Sequence, residues 1–185
     1  MSAPSAATAR LDRERTTLLV IDVQEAFRKA LPQLPDVIRG SAVLVQAART
    51  LGIPIIVTEQ YPKGLGPTVP ELASYLPPDL TPLEKVCFAA SEAEGFDLGG
   101  RDQVLVAGIE THVCVNQTVL DLLDRGVEAH VVRDAVGSRT KENWELGLHK
   151  MERAGAVVTS VETALFELLR GSDTAEFKEV QALVK

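Results

Sequence analysis

Three residues with reactive side chains, an acid, a base and a thiol, stand beside short apolar runs of the chain. Asp22 lies within the run Leu18–Val23, Lys85 precedes another apolar stretch, and Cys114 follows the run Gln103–Ala107 after a short turn. Ligands of open parallel sheets bind beyond the carboxyl ends of the strands. If the three residues meet at that edge, they form the constellation of covalent catalysis by an activated nucleophile.

Asp22 and Lys85 each have a functional and a structural interpretation. Burying an ionised carboxylate costs several kcal/mol unless a positive or hydrogen-bonding group compensates it, so an aspartate in an apolar strand indicates a partner. The alternative for Asp22 is a cap on the turn that follows, around Gln24–Phe27. The alternative for Lys85 is a solvated residue at the end of a strand.

Cys114 falls in the first turn of a predicted helix over Val113–Arg125. Unpaired N–H groups and the positive end of the helix dipole favour a thiolate there. We therefore expect its pKa below the free value of about 8.5, which makes the sulfur nucleophilic at neutral pH. The same N–H groups can stabilise an oxyanion. The alternative is an inert buried thiol, which is also the favoured interpretation of Cys87.

The elements that position these residues alternate between two kinds of segment. Short runs rich in Val and Ile are typical of strands covered on both faces, and longer segments between them have helical spacing. This alternation predicts an α/β protein with a doubly wound parallel sheet. The predicted strands are Leu18–Val23, Ile53–Thr58, Gln103–Ala107, Val127–Val132 and Ala156–Ser160, with a sixth near Glu84–Phe88; the predicted helices are Asp36–Leu51, Val113–Arg125, Lys141–Ala154 and Thr163–Leu169.

Glycines and prolines mark the ends of these elements. Gly52, Gly126 and Gly155 stand where helices are predicted to end, and glycine takes the left-handed conformation there without a Cβ penalty. The proline-rich segment Gly64–Pro82 is predicted to be a long loop with at most one short helix around Glu71–Tyr75.

Length and composition limit the class of protein. The chain has 185 residues, 45% hydrophobic and 24% charged, which is typical of one globular domain. We assign residues 1–15 to a flexible N-terminal tail, with a transit peptide as the alternative, and residues 16–185 to a single domain.

The net charge of −7 disfavours nucleic acid and anionic membrane surfaces as partners. Two cysteines suit a reducing compartment, so we expect the cytoplasm.

Three ordered segments of the chain resemble the isochorismatase-like cysteine hydrolases. They are Leu19–Gln24 (LVIDVQ), Glu84–Phe88 (EKVCF) and Gly108–Val115 (GIETHVCV). Two further segments, Val57–Gly66 and His130–Arg139, resemble the branch named for isochorismatase domain-containing proteins. The resemblance extends over about residues 16–170.

The resemblance implies a fold and a set of roles. The fold is a three-layer α/β/α arrangement around a six-stranded parallel sheet, and the protein is a homo-oligomer. In the implied triad Asp22 takes the thiol proton, Lys85 holds the charge in place and Cys114 attacks a carbonyl of a small-molecule substrate. It also implies a cis peptide bond between Ile109 and Glu110, and an oxyanion hole made of the backbone N–H groups of Glu110 and Cys114.

Two variations within this family narrow the expected reaction. True isochorismatases lack the nucleophilic cysteine, so the presence of Cys114 favours acyl transfer on a small amide or carbamoyl substrate. Nicotinamidases carry a metal-binding Asp-x-His motif where this chain has Gln60, Tyr61 and Pro62, which are poor ligands. We therefore expect neither a metal nor another cofactor. The residues expected to line the substrate pocket are Gln24, Phe27, Gln60 and Tyr61.

Two other classes of function compete with hydrolysis. In the first, Cys114 senses oxidants with Cys87 as the resolving thiol, or the fold is a non-catalytic interaction scaffold. The presence of Asp22 weighs against this, because a sensor thiol has no use for a proton acceptor. The second is a nucleotide-binding oxidoreductase, which is disfavoured because no Gly-x-Gly-x-x-Gly follows the first strand.

Overall fold

The computed structural model describes residues 10–185, and its strands form one parallel sheet in the order β3-β2-β1-β4-β5-β6. The chain runs outward from β1 to β3, returns to the centre at β4 and runs outward again to β6. The doubly wound parallel sheet predicted from the sequence is thereby confirmed. The strands are β1 (Thr16–Ile21), β2 (Ile55–Gln60), β3 (Leu83–Lys85), β4 (Gln103–Ile109), β5 (Glu128–Gly137) and β6 (Val157–Thr159).

Helices cover both faces of the sheet. In chain order they are α1 (Leu34–Leu51), α2 (Pro62–Leu65), α3 (Pro70–Ala73), α4 (Asn116–Asp124), α5 (Lys141–Ala154), α6 (Val161–Leu169) and α7 (Phe177–Ala182). Two short 3-10 segments, Glu25–Lys29 and Ala90–Glu92, and one π-helical turn, Thr111–Val115, lie between them. Within residues 10–185, no helix combines the length and the apolar character needed to cross a membrane.

The central strand β1 divides its side chains between two apolar cores. Leu18 and Val20 pack with α1 and α6, whereas Leu19 and Ile21 pack with α4 and α5. Successive side chains of a strand point to opposite faces, so a run that is apolar throughout requires cover on both sides. The result is the three-layer arrangement that was expected.

Two glycines allow close approaches next to the carboxyl end of β4. Gly108 has φ 116°, and a Cβ atom on it would overlap the backbone of Ile21 in β1. A Cβ on Gly147 of α5 would lie 2.9 Å from the carbonyl oxygen of Thr111 in the π-helical turn. These contacts hold β1 against β4, and α5 against the turn that carries Cys114.

Several predicted boundaries are wrong. The helix predicted over Val113–Arg125 begins as an α-helix only at Asn116, because the residues before it form the π-helical turn. The sixth predicted strand ends at Lys85, before the stretch up to Phe88.

The boundary of the predicted N-terminal tail also needs correction. Leu11 is fully buried, and the backbone N–H of Asp12 donates to Oε1 of Gln103 over 2.8 Å. Residues 11–15 therefore pack against the sheet, because an apolar side chain and backbone hydrogen bonds anchor them. Residues 1–9 of the predicted tail lie outside the described residues.

Replacing Gly108 by alanine is expected to lower the free energy of unfolding by about 3 kcal/mol or more, because a Cβ meets both an unfavourable φ and the backbone of a neighbouring strand. Gly99→Ala is the matched control, since Gly99 has φ 63° but nothing within 4 Å of a Cβ. That variant should lose only about 1 kcal/mol. Urea unfolding followed by circular dichroism measures both, and equal losses would contradict the close approach at Gly108.

Candidate active site

Asp22 is a buried carboxylate at the carboxyl end of β1, with φ 54° and 1% of its surface exposed. Its Oδ1 accepts a hydrogen bond from the Thr58 hydroxyl over 2.7 Å, and its Oδ2 accepts from Nζ of Lys85 over 2.7 Å. The partners come from two other strands, Thr58 from the adjacent β2 and Lys85 from β3 beyond it. Asp22 is therefore held by an ion pair and a hydroxyl, and the alternative of a simple turn cap is wrong.

The Lys85 ammonium is enclosed by oxygen atoms. Besides Asp22, its Nζ donates to Oε1 of Gln60 over 2.7 Å and to the carbonyl oxygens of Cys87 and Phe88 over 3.3 and 3.2 Å. None of its side chain is exposed. A charged group this deep is stable only when it is paired and hydrogen-bonded. The interpretation of Lys85 as a solvated strand end is wrong.

Cys114 lies in the π-helical turn that follows β4. The carbonyl of Glu110 accepts from the N–H groups of Val113 and Val115, over 3.0 and 3.2 Å, and the second of these bonds spans the wider π-helical ring. The side chain of Cys114 is 7% exposed and belongs to the apolar core between the sheet, α4 and α5.

The pKa of Cys114 is raised to about 12. Burial is the largest cause, and the negative charge of Asp22, a hydrogen bond to Asp22 and the charge of Glu110 add to it, while the positive charge of Lys85 opposes it. The expectation of a lowered pKa is wrong, because burial beside a carboxylate outweighs the dipole at the start of a helix. At neutral pH the residue is therefore a thiol next to a proton acceptor.

The three predicted residues come together at the place where the sheet reverses its winding. Asp22 follows β1 and Cys114 lies in the turn after β4, and these two strands are neighbours in the sheet. The chain leaves β1 toward one edge and β4 toward the other, which opens a crevice beyond their carboxyl ends. Lys85 reaches the same point from β3, two strands away.

The turn between β4 and Cys114 carries the residues expected to bind an oxyanion. The peptide bond between Ile109 and Glu110 is cis, at the position named from the sequence. The Glu110 side chain is buried, and its Oε2 accepts from the backbone N–H and from Nε of Arg139, over 3.0 and 3.1 Å. The backbone N–H groups of Glu110 and Cys114 thus belong to one short, braced segment.

The structure corrects two of the expected pocket residues. Gln24 is fully buried, and its amide bonds the backbone of Gln60 in both directions, accepting from its N–H over 2.8 Å and donating to its carbonyl over 3.0 Å. Gln24 is a brace between two loops, because its donors and acceptors are already used. Phe27 packs against the core that contains α1, whereas Cys114 belongs to the core on the other face of the sheet.

Gln60 and Tyr61 lie next to the triad. Gln60 binds Lys85 directly and also donates to the carbonyl of Val86 over 2.8 Å. Tyr61 is 55% exposed and lines a cavity of about 370 Å³ together with Lys85 and Val86. Among residues 10–185, no three His, Cys, Asp or Glu side chains are grouped as a metal site requires.

Three partners of the triad were missed from the sequence. Thr58 ends the second predicted strand, so its place at a carboxyl end was an available signal. The carbonyls of Cys87 and Phe88 carry no signal in the residue types, because any residue supplies a carbonyl.

A parallel α/β sheet with a thiol, a carboxylate and an ammonium at its switch point defines a class of protein with hydrolase-like chemistry. Within that class the chain belongs to the isochorismatase family, since the family model described as "Isochorismatase domain" matches residues 16–163. The family resemblance seen in the motifs is thereby confirmed.

Curated relatives match over the full length. Isochorismatase domain-containing protein 2A of Mus musculus is 39% identical over 188 residues, which cover 100% of this chain and 90% of the mouse protein. The secreted isochorismatase effector Isc1 of Phytophthora sojae is 44% identical over 195 residues, covering 100% of this chain and 93% of the effector.

Solved structures have the same fold. A Caenorhabditis elegans protein described as MAR1 ribonuclease superposes with a TM-score of 0.89 at 42% identity, covering 95% of this chain and 92% of that one. The YcaC gene product of Escherichia coli, described as an octameric hydrolase of unknown specificity, has a TM-score of 0.83 at 24% identity and covers 98% of this chain and 92% of its own.

Alkylation of Cys114 by iodoacetamide is expected to be slow at pH 7 and to rise through pH 10 without a plateau, because its pKa is raised to about 12. Asp22→Asn removes a negative charge that raises this pKa, so it should speed alkylation at a fixed pH, roughly tenfold for each unit by which the pKa falls. Peptide mass spectrometry separates Cys114 from Cys87. A plateau below pH 8, or slower alkylation in Asp22→Asn, would contradict the raised pKa.

Lys85→Met is expected to destabilise the protein by about 3–5 kcal/mol, because it leaves Asp22 as an unpaired charge in the core. Lys63→Met is the control at an exposed lysine nearby, with a change of about 0.5 kcal/mol or less. The double variant Asp22→Asn/Lys85→Met should recover part of the loss. Chemical denaturation measures all three, and a Lys85→Met protein as stable as the parent would refute the pairing.

Proposed function

We propose that this protein is a metal-independent cysteine hydrolase that cleaves the C–N bond of a small amide or carbamoyl substrate through a thioester. The observation that carries the proposal is a buried thiol, Cys114, near a carboxylate, Asp22, that pairs with the buried ammonium of Lys85. Burial and the charge of Asp22 raise the pKa of Cys114 and so favour its protonated form. A nucleophile next to a general base that is oriented by a third group is the pattern of covalent catalysis.

The acylation step follows from the protonation states in the resting site. The Cys114 sulfur attacks the substrate carbonyl while Asp22 accepts the thiol proton, so no free thiolate has to exist beforehand. The N–H groups of Glu110 and Cys114 bind the resulting oxyanion, each contributing about 3 kcal/mol. When the C–N bond breaks, Asp22 returns the proton to the leaving amine and a thioester remains.

Deacylation uses the same groups in the same order. Asp22 accepts a proton from a water molecule, whose oxygen attacks the thioester carbonyl. The C–S bond then breaks, the acid is released, and the proton on Asp22 returns to the Cys114 sulfur. Proton transfer by a positioned group contributes about 10²–10⁴ in rate. Lys85 keeps Asp22 oriented and donates to its Oδ2 throughout.

The burial of the triad supports a small substrate. Asp22 and Lys85 are 1% and 5% exposed and Cys114 7%, so a reacting carbonyl reaches the sulfur only through a narrow opening. Around this end of the sheet, Tyr61, Val86 and Phe88 are 55%, 80% and 52% exposed. These apolar surfaces favour substrates with a compact amide and an apolar or planar remainder.

Two competing activities are weighed against this proposal. Redox sensing is disfavoured, because a thiol with a pKa of about 12 reacts slowly with oxidants at neutral pH. RNA cleavage is the second candidate, since the 42% identical structure from C. elegans is described as a ribonuclease. The net charge of −7 opposes RNA binding, and the triad suits a carbonyl more than a phosphodiester.

We further propose that the protein is a homo-oligomer of the cytoplasm, with residues 16–185 and the packed residues 11–15 as one domain. The E. coli protein YcaC is described as octameric, and the exposed apolar side chains of Val86, Phe88 and Leu146 are suited to burial between subunits. Both cysteines are free, which fits a reducing compartment. Sedimentation or light scattering measures the mass in solution.

A panel of small primary amides and carbamoyl compounds tests the hydrolase proposal by ammonia release. We expect activity with at least one compound, and loss of about 10³-fold or more in Cys114→Ala and Asp22→Asn, because each lacks a group that acts in every turnover. Intact-protein mass spectrometry after acid quench should show an acyl adduct on the parent only.

The same preparations are assayed with single-stranded RNA. RNA cleavage that depends on Cys114, without hydrolysis of any amide, would refute the proposal and favour the ribonuclease.

A further inference from the structure

The hydroxyl of Thr118, on α4, joins two parts of the active site that are distant in sequence. Thr118 is fully buried. Its Oγ1 donates to the carbonyl oxygen of Cys114 over 2.6 Å and accepts from the backbone N–H of Ala90 over 2.8 Å. A hydroxyl is one of the few groups that can donate and accept at one point in this way.

The backbone bound at Ala90 ends the loop that encloses Lys85. That loop leaves β3 at Lys85, and its carbonyls at Cys87 and Phe88 accept from the ammonium of Lys85. A shift of Ala90 therefore moves two of the four acceptors that hold the ammonium. Through this loop, Thr118 sets where the charge of Lys85 stands relative to Cys114.

A second bond ties the same loop to the next turn of α4. The Ser91 hydroxyl donates to Oδ2 of Asp121 over 2.5 Å, and Arg125 pairs with that carboxylate over 2.6 Å. This outer bond is partly exposed, whereas both bonds of Thr118 are buried. Water can therefore replace the bond between Ser91 and Asp121, but it cannot replace the two bonds of Thr118.

We propose that Thr118 is a positioning residue of the active site, whose hydroxyl fixes the Lys85 loop against the turn that carries Cys114. This inference rests on the proposed function for its role in turnover, but the geometry can be tested without a substrate. A displacement of about 1 Å in a catalytic group can cost about 10² in rate. The requirement is for the hydroxyl and not for the methyl group, so serine should replace threonine and valine should not.

The test measures the second-order rate constant for labelling of Cys114 by iodoacetamide between pH 7 and pH 10. At pH 8, Thr118→Val should lower this rate constant about tenfold, because a displaced Lys85 no longer favours the thiolate by about one pKa unit. The rise of the rate constant with pH should shift to higher pH by the same amount. Thr118→Ser should restore the rate to within about threefold of the parent.

Thr17→Val is the matched control. Thr17 is also fully buried, and its hydroxyl donates one bond, to the carbonyl of Leu98 over 3.4 Å, at the amino end of β1. Its loss destabilises the fold without touching the site, so Cys114 should be labelled as in the parent. Circular dichroism of each variant reports unfolding, because Cys87 belongs to the Lys85 loop itself.

Equal labelling of Thr118→Val and the parent would overturn the proposal, as would an equal slowing in Thr17→Val. If Thr118→Val does not fold, Thr118→Ala decides, because it removes the same hydroxyl without adding a bulkier apolar group. It should slow labelling about tenfold, or roughly one pKa unit, and an unchanged rate would overturn the proposal. Absence of amide hydrolysis in the parent would refute the proposed function and leave the labelling result for Thr118 standing.

Discussion

The buried ion pair between Asp22 and Lys85 is the constraint on which the rest of this structure depends. Two charges removed from water cost several kcal/mol each unless every donor and acceptor finds a partner. Thr58 and Gln60, both of β2, and the carbonyls of the loop after β3 are those partners. The loops around the site are consequently built to satisfy one ammonium and one carboxylate.

That constraint also explains the state of Cys114. The carboxylate that can accept its proton also disfavours the thiolate, and the core around it removes water that would solvate a charge. In the proposed reaction, proton transfer and attack on the carbonyl therefore occur together. A raised pKa also slows the reaction of this thiol with other electrophiles at neutral pH.

The fold could be predicted from the sequence to a large extent, because parallel strands buried on both faces leave uninterrupted apolar runs. The six-stranded sheet is predicted from these runs. The end of α5 is predicted from Gly155, which takes the left-handed conformation there. The identity of the triad was accessible for a related reason: Asp22 is an acid in an apolar strand, and Cys114 follows a strand and a glycine.

The features that could not be predicted from the sequence depend on which segments come close together in the folded chain. The π-helical turn at Thr111–Val115 is defined by two backbone hydrogen bonds to the carbonyl of Glu110. No residue type in this segment predicts such a turn. Gln24 was expected in the pocket, yet its amide is already bonded to the backbone of Gln60. Burial of Cys114 reverses the sign of its pKa shift, since the local dipole is visible in the sequence but the surrounding core is not.

The order of the strands has a consequence for folding. β1 lies between β2 and β4, and its last partner, Gln103–Ile109, arrives 82 residues or more after it in the chain. Until β4 pairs with it, one edge of β1 stays open to water, and the Asp22–Lys85 pair remains solvated. Because closing such long loops is slow, the charged centre is desolvated late, by the same strand that delivers the nucleophile. A partly folded chain of this protein therefore lacks the desolvated Asp22–Lys85 pair beside Cys114 that the proposed reaction requires.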